Sequence, residues 1–184
     1  MTTGSRRADA RRNRERLLEV AVRAFAHEGA VAPLDAIARE AGVGIGTLYR
    51  HFPTREALIE AAYRNELTRL CEATDDLLAS SSPAVALREW MARFIAYMAT
   101  KRGMADALRA VIASGGNPYE QSRARLLDAI SALVTAGVAS GVIRADVELI
   151  DILAGLSGVS LAAGDSAQRD RLLDLLMDGL RYSA

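Results

Sequence analysis

The stretch Leu34–Phe52, LDAIAREAGVGIGTLYRHF, restricts the possible folds of this chain more than any other part. Leu34, Ile37, Ala38 and Ala41 fall at helical spacing and form one apolar face. Gly42 follows at the point where a helix end favours a residue of positive φ. Val43, apolar and directly after the turn, fits between two helices. A second short helix fits Ile45–Phe52, with Leu48 and Phe52 (four apart) facing inward. Two short helices around a glycine turn, with apolar residues lining the corner, read as a helix-turn-helix.

The remaining pattern is helical too. The chain has 184 residues, is 51% hydrophobic and contains only 4 Pro. That length suffices for one or two domains with a proper core, and that composition favours an all-α fold. No apolar run approaches the roughly 18 residues of a membrane span, and no signal-peptide core follows the basic N-terminus. No membrane partner is expected, and the simple reading is a cytoplasmic protein. The single cysteine, Cys71, excludes an intramolecular disulfide framework and supplies no metal-ligand cluster. No cofactor is implied.

The formal net charge is zero, but it is unevenly distributed. Residues 1–55 hold ten Arg against six Asp and Glu, whereas the rest holds thirteen Lys and Arg against seventeen Asp and Glu. The excess concentrates in Arg6, Arg7, Arg11, Arg12, Arg14 and Arg16, opposed there only by Asp9 and Glu15. A basic segment attached to a helix-turn-helix is the electrostatic footprint expected for DNA; a solvated charged tail is the bland alternative.

Along the chain, residues 1–8 are expected to be disordered without DNA. The first helix should run from about Ala10 to His27 and stop at Gly29, burying Leu17, Ala21, Ala24 and Phe25. The second begins near Pro33 and the third near Gly44 or Ile45. A fourth should start after Pro53, with Thr54 as cap, and continue to about Leu78. Ser80-Ser81-Ser82-Pro83 is a break. The fifth helix runs to about Thr100, and the sixth spans about Met104–Ala113. Asn117-Pro118-Tyr119-Glu120 reads as a capping box ahead of the seventh, which ends near Gly141. Asp146 should cap the eighth, to about Ala163, and the ninth runs to about Arg181. The expected organisation is a three-helix domain, 1–54, followed by a helical bundle, 55–184, with about nine helices in all.

The residues IA-x-x-AGV-x-x-GTLY-x-HF followed by R-x-x-L resemble the DNA-binding domain of TetR-type transcriptional regulators. Leu17–Leu58 matches that pattern in order and spacing, including Phe25 and Gly29. From residue 83 on, the segment WMARFIAYMATKRGMADALRAVI is similar to a C-terminal subgroup common in actinobacterial members. The resemblance implies a homodimer on palindromic double-stranded DNA, an effector-binding C-terminal domain and no catalysis. It places the third helix in the major groove. Gly44, Ile45, Gly46, Thr47, Tyr49, His51 and Arg55 are the implied DNA-contacting positions, joined by the basic Arg11 and Arg12. The chain departs from the family pattern at Ala32-Pro33, where a hydroxyl is usual, and at Gly44 and Ile45, where polar or basic residues are usual. Isoleucine there favours an apolar contact, such as a thymine methyl.

Trp90, Phe94, Tyr97 and Met98 form an apolar and aromatic set suited to a hydrophobic or amphipathic small-molecule effector, although ordinary core is the simpler role for each one singly. The eighth and ninth helices are apolar over much of their circumference, as helices buried both in their own domain and against a partner are. Leu153, Leu156, Leu172 and Leu176 are the dimerisation candidates. By family habit the regulator is a repressor released by its effector; a regulator with a filled, non-functional pocket is the alternative. No Ser-His-Asp, paired-carboxylate, phosphate-loop or metal spacing is present, and only His27 and His51 titrate near neutral pH, so an enzyme is not expected.

Overall fold

The computed structural model describes residues 3–181, with side chains from residue 8 onward. Among these residues the chain forms nine α-helices and one short 3-10 helix, with an isolated bridge between Ile143 and Arg181 in place of any strand. The helices are α1 (Thr3–Glu28), α2 (Leu34–Glu40), α3 (Ile45–His51), α4 (Arg55–Ser80), α5 (Pro83–Gly103), α6 (Ala105–Ala113), α7 (Ser122–Ala139), α8 (Leu149–Ala162) and α9 (Ser166–Leu180); the 3-10 turn is Gly29–Val31. The chain divides into two compact units. The first comprises Met1–Glu66 with Thr100–Pro118; the second comprises Leu67–Ala99 with Tyr119–Ala184.

In the first unit, α1 starts seven residues before the expected Ala10. The segment Thr3–Ala8, expected to be disordered, continues the helix, although Thr3, Gly4 and Ser5 are weak helix formers. Residues 1 and 2, and the Arg6 and Arg7 side chains of the basic cluster, lie outside the described residues. Leu17, Leu18, Ala21 and Phe25 are fully buried, each large side chain stabilising the fold by about 1.5–3 kcal/mol. The corner between α2 and α3 closes as the glycine predicts. Gly42 has φ +71°, its N–H donates to the Arg39 carbonyl at 3.1 Å, and the Val43 N–H donates to the Ala38 carbonyl at 2.9 Å. These two bonds satisfy carbonyls that the end of α2 would otherwise leave open. Neither α2 nor α3 has a side-chain cap, as Pro33 and Gly44 imply.

Helix α6 belongs to this unit although it lies far along the chain. Met104, Ala107, Leu108 and Val111 are buried there. Gly103 allows the close approach: a Cβ on it would lie 2.9 Å from the Ala26 Cβ and 3.2 Å from the Ala26 carbonyl oxygen.

The second unit has its core on Leu70, Leu77, Leu87, Trp90, Met91, Phe94, Ile130, Leu133, Leu156 and Leu173. Two expected caps are absent. The segment Asn117–Glu120 forms turns, and α7 begins only at Ser122, after Gln121 adopts the left-handed conformation at φ 61°. Asp146 does not cap α8, which starts at Leu149 with Glu148 ahead of it. Its carboxylate instead accepts two hydrogen bonds from Arg144 at 2.6 Å. Asp165 does cap α9, accepting from the Gln168 N–H at 2.7 Å.

Candidate nucleic-acid interface

Helix α3 is short, and its two faces are sharply different. Leu48 is fully buried and Phe52, just past its end, is 3% exposed. Ile45 and Tyr49, 42% and 48% exposed, lie one turn apart on the opposite side. Gly46 and Arg50 are one turn apart beside them, also exposed, and nothing lies within 4 Å of where a Gly46 Cβ would be. Thr47 and His51 are half-buried at the edges, and Gly44 is exposed at the start. The outward surface is therefore an isoleucine, a phenol, a guanidinium and a glycine gap, all on a backbone fixed by Leu48 and Phe52. Arg50 was absent from the sequence-derived set. It occupies the variable position between Tyr49 and His51, but its spacing of four from Gly46 already places it on the outer face.

The flanking arginines divide into two kinds. Arg11 and Arg12 project from α1 and pair with Glu15 and Asp9 on their own helix. The Arg14 guanidinium lies 5.5 Å from the centre of the Phe52 ring, a cation–π contact that ties the end of α3 to α1. Arg55 is half-buried, and its Nη1 donates to the carbonyls of Ala30 (3.0 Å) and Ala32. It thus fastens the 3-10 turn and the entry to α2 to the start of α4. Thr54 caps α4 as expected, its hydroxyl accepting from the Ala57 N–H at 3.1 Å.

In the second unit Trp90, Phe94 and Tyr97 are buried and Met98 is half-buried. Trp90 and Phe94 stack with ring centres 5.7 Å apart, and the indole N–H donates to the Leu70 carbonyl at 3.1 Å. One turn further along α4, the buried Thr74 hydroxyl has no hydrogen-bond partner among the described residues, and neither does that of Ser122. Two surface clefts, of about 260 and 270 Å³, lie elsewhere, between α5 and α9 and between α8 and α9. Leu153 and Leu156 are buried within the unit, and Leu172 and Leu176 are half-buried. The leucines that α8 and α9 leave outside are Leu161 and Leu175, 71% and 68% exposed. Burial pushes the Cys71 thiol up against the opposing pull of Arg125, with Asp128 and Glu72 adding to the rise. That keeps it a thiol rather than a reactive thiolate at neutral pH. Among the described residues no group of three His, Cys, Asp or Glu could hold a metal ion, and no helix is long and apolar enough to cross a membrane.

Comparison with known proteins gives consistent results at both ends of the chain. Residues 17–62 match the family described as bacterial regulatory proteins, tetR family, and residues 82–182 match the C-terminal domain described as transcriptional regulator SbtR-like. A TetR transcriptional regulator from Streptomyces coelicolor is 56% identical, with 93% of this chain and 99% of that one covered at a TM-score of 0.89. A TetR transcription regulatory protein from Mycobacterium vanbaalenii is 37% identical, with 96% and 99% covered at 0.80. An HTH-type transcriptional regulator from Staphylococcus aureus is 40% identical over 62 residues, and the match spans only 34% of that relative's length. That last likeness is confined to a short stretch, whereas the structural likeness runs from the helix-turn-helix to α9: the chain belongs to the TetR family of transcriptional regulators.

Proposed function

We propose that this protein is a repressor that binds palindromic operator DNA as a homodimer in the cytoplasm and is released by a small hydrophobic or amphipathic effector. The observation that carries this reading is the outward face of α3, where Ile45, Gly46, Tyr49 and Arg50 stand on a helix whose other face is locked into the core. In the major groove, Ile45 meets a thymine methyl, while Tyr49 and Arg50 reach phosphate or a base edge. Gly44 and Gly46 leave the backbone close to the DNA. Thr47 and His51 flank the contact, and Arg11 and Arg12 exchange weak surface ion pairs for phosphates. The Arg55 side chain holds the head together, so its part in DNA binding is through its backbone N–H at the start of α4. Reading is thus assigned to 1–54, and sensing and dimerisation to 55–184. Helix α4 follows directly on the reading head and runs from the first compact unit into the second, which makes it the link through which an effector acts. Such an effector must bind the DNA-free state better than the DNA-bound state.

Selection of sites from a random DNA pool, repeated across salt concentrations, tests the proposal. A palindromic site bound by two subunits, with affinity falling steeply as salt rises, is the expected result. No enriched sequence would overturn it.

A regulator without an effector has its own support. Trp90 is fully buried with its indole already satisfied, and its neighbours fill the same core. The unpartnered Thr74 hydroxyl favours the effector reading, because an incoming polar group would complete it. Screening amphipathic compounds by Trp90 fluorescence separates the two, since quenching by a compound that also releases DNA requires a pocket beside the indole.

A further inference from the structure

We infer that the effector of the proposed repressor is a carboxylic acid with an apolar body, its carboxylate held by Arg125 and Ser122 at the start of α7 and its body running inward along α4 towards Trp90. The inference rests on the effector reading above and adds the chemistry of the ligand and the residues that recognise its head.

Three observations, all within the second unit, converge on the start of α7. The Arg125 side chain is half-buried, and its Nη1 donates to the Thr68 hydroxyl at 3.1 Å. Among the described residues no carboxylate lies within ion-pair distance of it, in contrast to Arg88, Arg144 and Arg181. A half-buried guanidinium whose acceptor is neutral has N–H donors to spare for an anion. Ser122 stands one turn earlier on the same face of α7, and its hydroxyl is buried with no hydrogen-bond partner among the described residues. Helix α7 itself starts with no side-chain cap and no acidic residue in its first turn, so the positive pole of the helix is unopposed there.

The surrounding charge selects the kind of anion. Asp128 and Glu72 are close enough to act on Cys71, whose sulfur lies 3.6 Å from the Arg125 carbonyl oxygen. The seam between α4 and α7 thus pairs one half-buried cation with carboxylates close behind it. A singly charged carboxylate is neutralised by Arg125. A phosphate dianion would keep excess negative charge in half-buried surroundings beside Asp128.

Helix α4 sets the direction of the body. Thr68 and Cys71 are half-buried and Thr74 is 3% exposed, so steps of about one turn carry polar side chains from the rim into the core. Thr68 and Thr74 are about 9 Å apart along the helix at the usual rise per residue. Between them the Leu70 carbonyl accepts the Trp90 indole N–H, and Trp90 stacks on Phe94. An acid with its head at Arg125 therefore lays its apolar body beside these rings, with the Thr74 hydroxyl open to any polar group the body carries.

Trp90 is the only tryptophan of the chain, so its fluorescence reports binding without a label. The probes are decanoate against decanol and phenylbutanoate against phenylbutanol, each below its micellar concentration. The acid of each pair is expected to bind about 10-fold tighter than the alcohol, the gain of a charge-assisted contact. Arg125→Gln should remove that preference while keeping the affinity for the alcohols, which also shows that the variant is folded. Arg125→Lys should keep most of the preference, and Ser122→Ala should reduce it by a smaller factor. Equal binding of acid and alcohol by the unmodified protein, or a preference that survives Arg125→Gln, overturns the carboxylate head and leaves the effector reading standing. Should Arg125→Gln lose its helical circular dichroism, Ser122→Ala decides, and an undiminished preference overturns the assignment. If no probe of either kind alters Trp90 emission or releases operator DNA, the effector reading fails and the head site fails with it.

Discussion

Helix α3 and the α8–α9 hairpin both leave side chains at the surface that an isolated chain has no use for, but of different kinds. On α3 the buried side is narrow, and the open side carries a phenol, a guanidinium and a glycine around one isoleucine, with Gly44 just ahead of the helix. On α8 and α9 the open side carries leucines, Leu161 and Leu175, exposed by more than two-thirds. A polar, aromatic and basic surface with glycine gaps loses little in water and gains from a hydrated, charged partner such as a DNA groove. A leucine surface is costly in water, and burying it against a matching apolar surface returns roughly 25 cal/mol per Å². The difference shows that exposure by itself says little; the chemistry of what is exposed indicates the partner.

The largest effect is expected within α3, where the comparison can be broken by swapping faces. Leu48→Ala removes a fully buried side chain and should cost about 2–5 kcal/mol of folding stability, read by denaturant unfolding. Ile45→Ala on the outward face of the same helix should stay within about 0.5 kcal/mol while altering which operator base is preferred. Equal losses of stability from both would mean that α3 has no free face.

Next comes the hairpin. Leu175→Asp should raise the dimer dissociation constant by about 100-fold, the effect of truncating an interface anchor, with helical content by circular dichroism unchanged. If the protein unfolds instead, Leu175 belongs to the core and the contrast with α3 fails. A smaller effect is expected from Arg50→Ala: about tenfold weaker operator binding with stability unchanged. Uniform weakening across operator variants, with a salt slope lower by about one, would identify a phosphate contact; relaxed preference at one position would identify a base contact.

Much of α3 was legible before any coordinates because a glycine turn sets the phase of both flanking helices. Gly42 fixes where α2 ends, Leu48 and Phe52 fix which side of α3 is inside, and the outward positions follow. Arg50 follows by the same reasoning, although family resemblance alone passes over it. The role of Arg55 was not legible, since its acceptors are the carbonyls of Ala30 and Ala32, and a carbonyl leaves no trace in side-chain pattern. Nor was the membership of α6 in the first unit, which depends on the missing Cβ of Gly103 beside Ala26, residues far apart in the chain. On α8 and α9 the difficulty is one of phase. With apolar residues nearly all round, helical spacing could not separate Leu153 and Leu156, which are buried, from Leu161, which is not.

The smallest effect concerns a charge pair held inside the chain, in contrast to the leucines that α8 and α9 leave at the surface. The side-chain hydrogen bonds from Arg144 hold the Asp146 carboxyl down at about 2, below its ordinary value of 3.8. A depressed carboxylate favours the folded state above the unfolded value. That contribution fades as pH falls from about 4 through about 2, where the folded form takes up the proton as readily as the unfolded one. Because both side chains are largely open to solvent, the shift should be visible in the Asp146 titration, followed by carboxyl chemical shift in NMR, rather than in a large change of midpoint. Both partners lie on one loop ahead of α8, so the titration should be the same in the unmodified protein and in the Leu175→Asp variant. A difference between them would mean that Arg144 also reaches towards the surface around Leu175, and the pair would not be held by the loop alone.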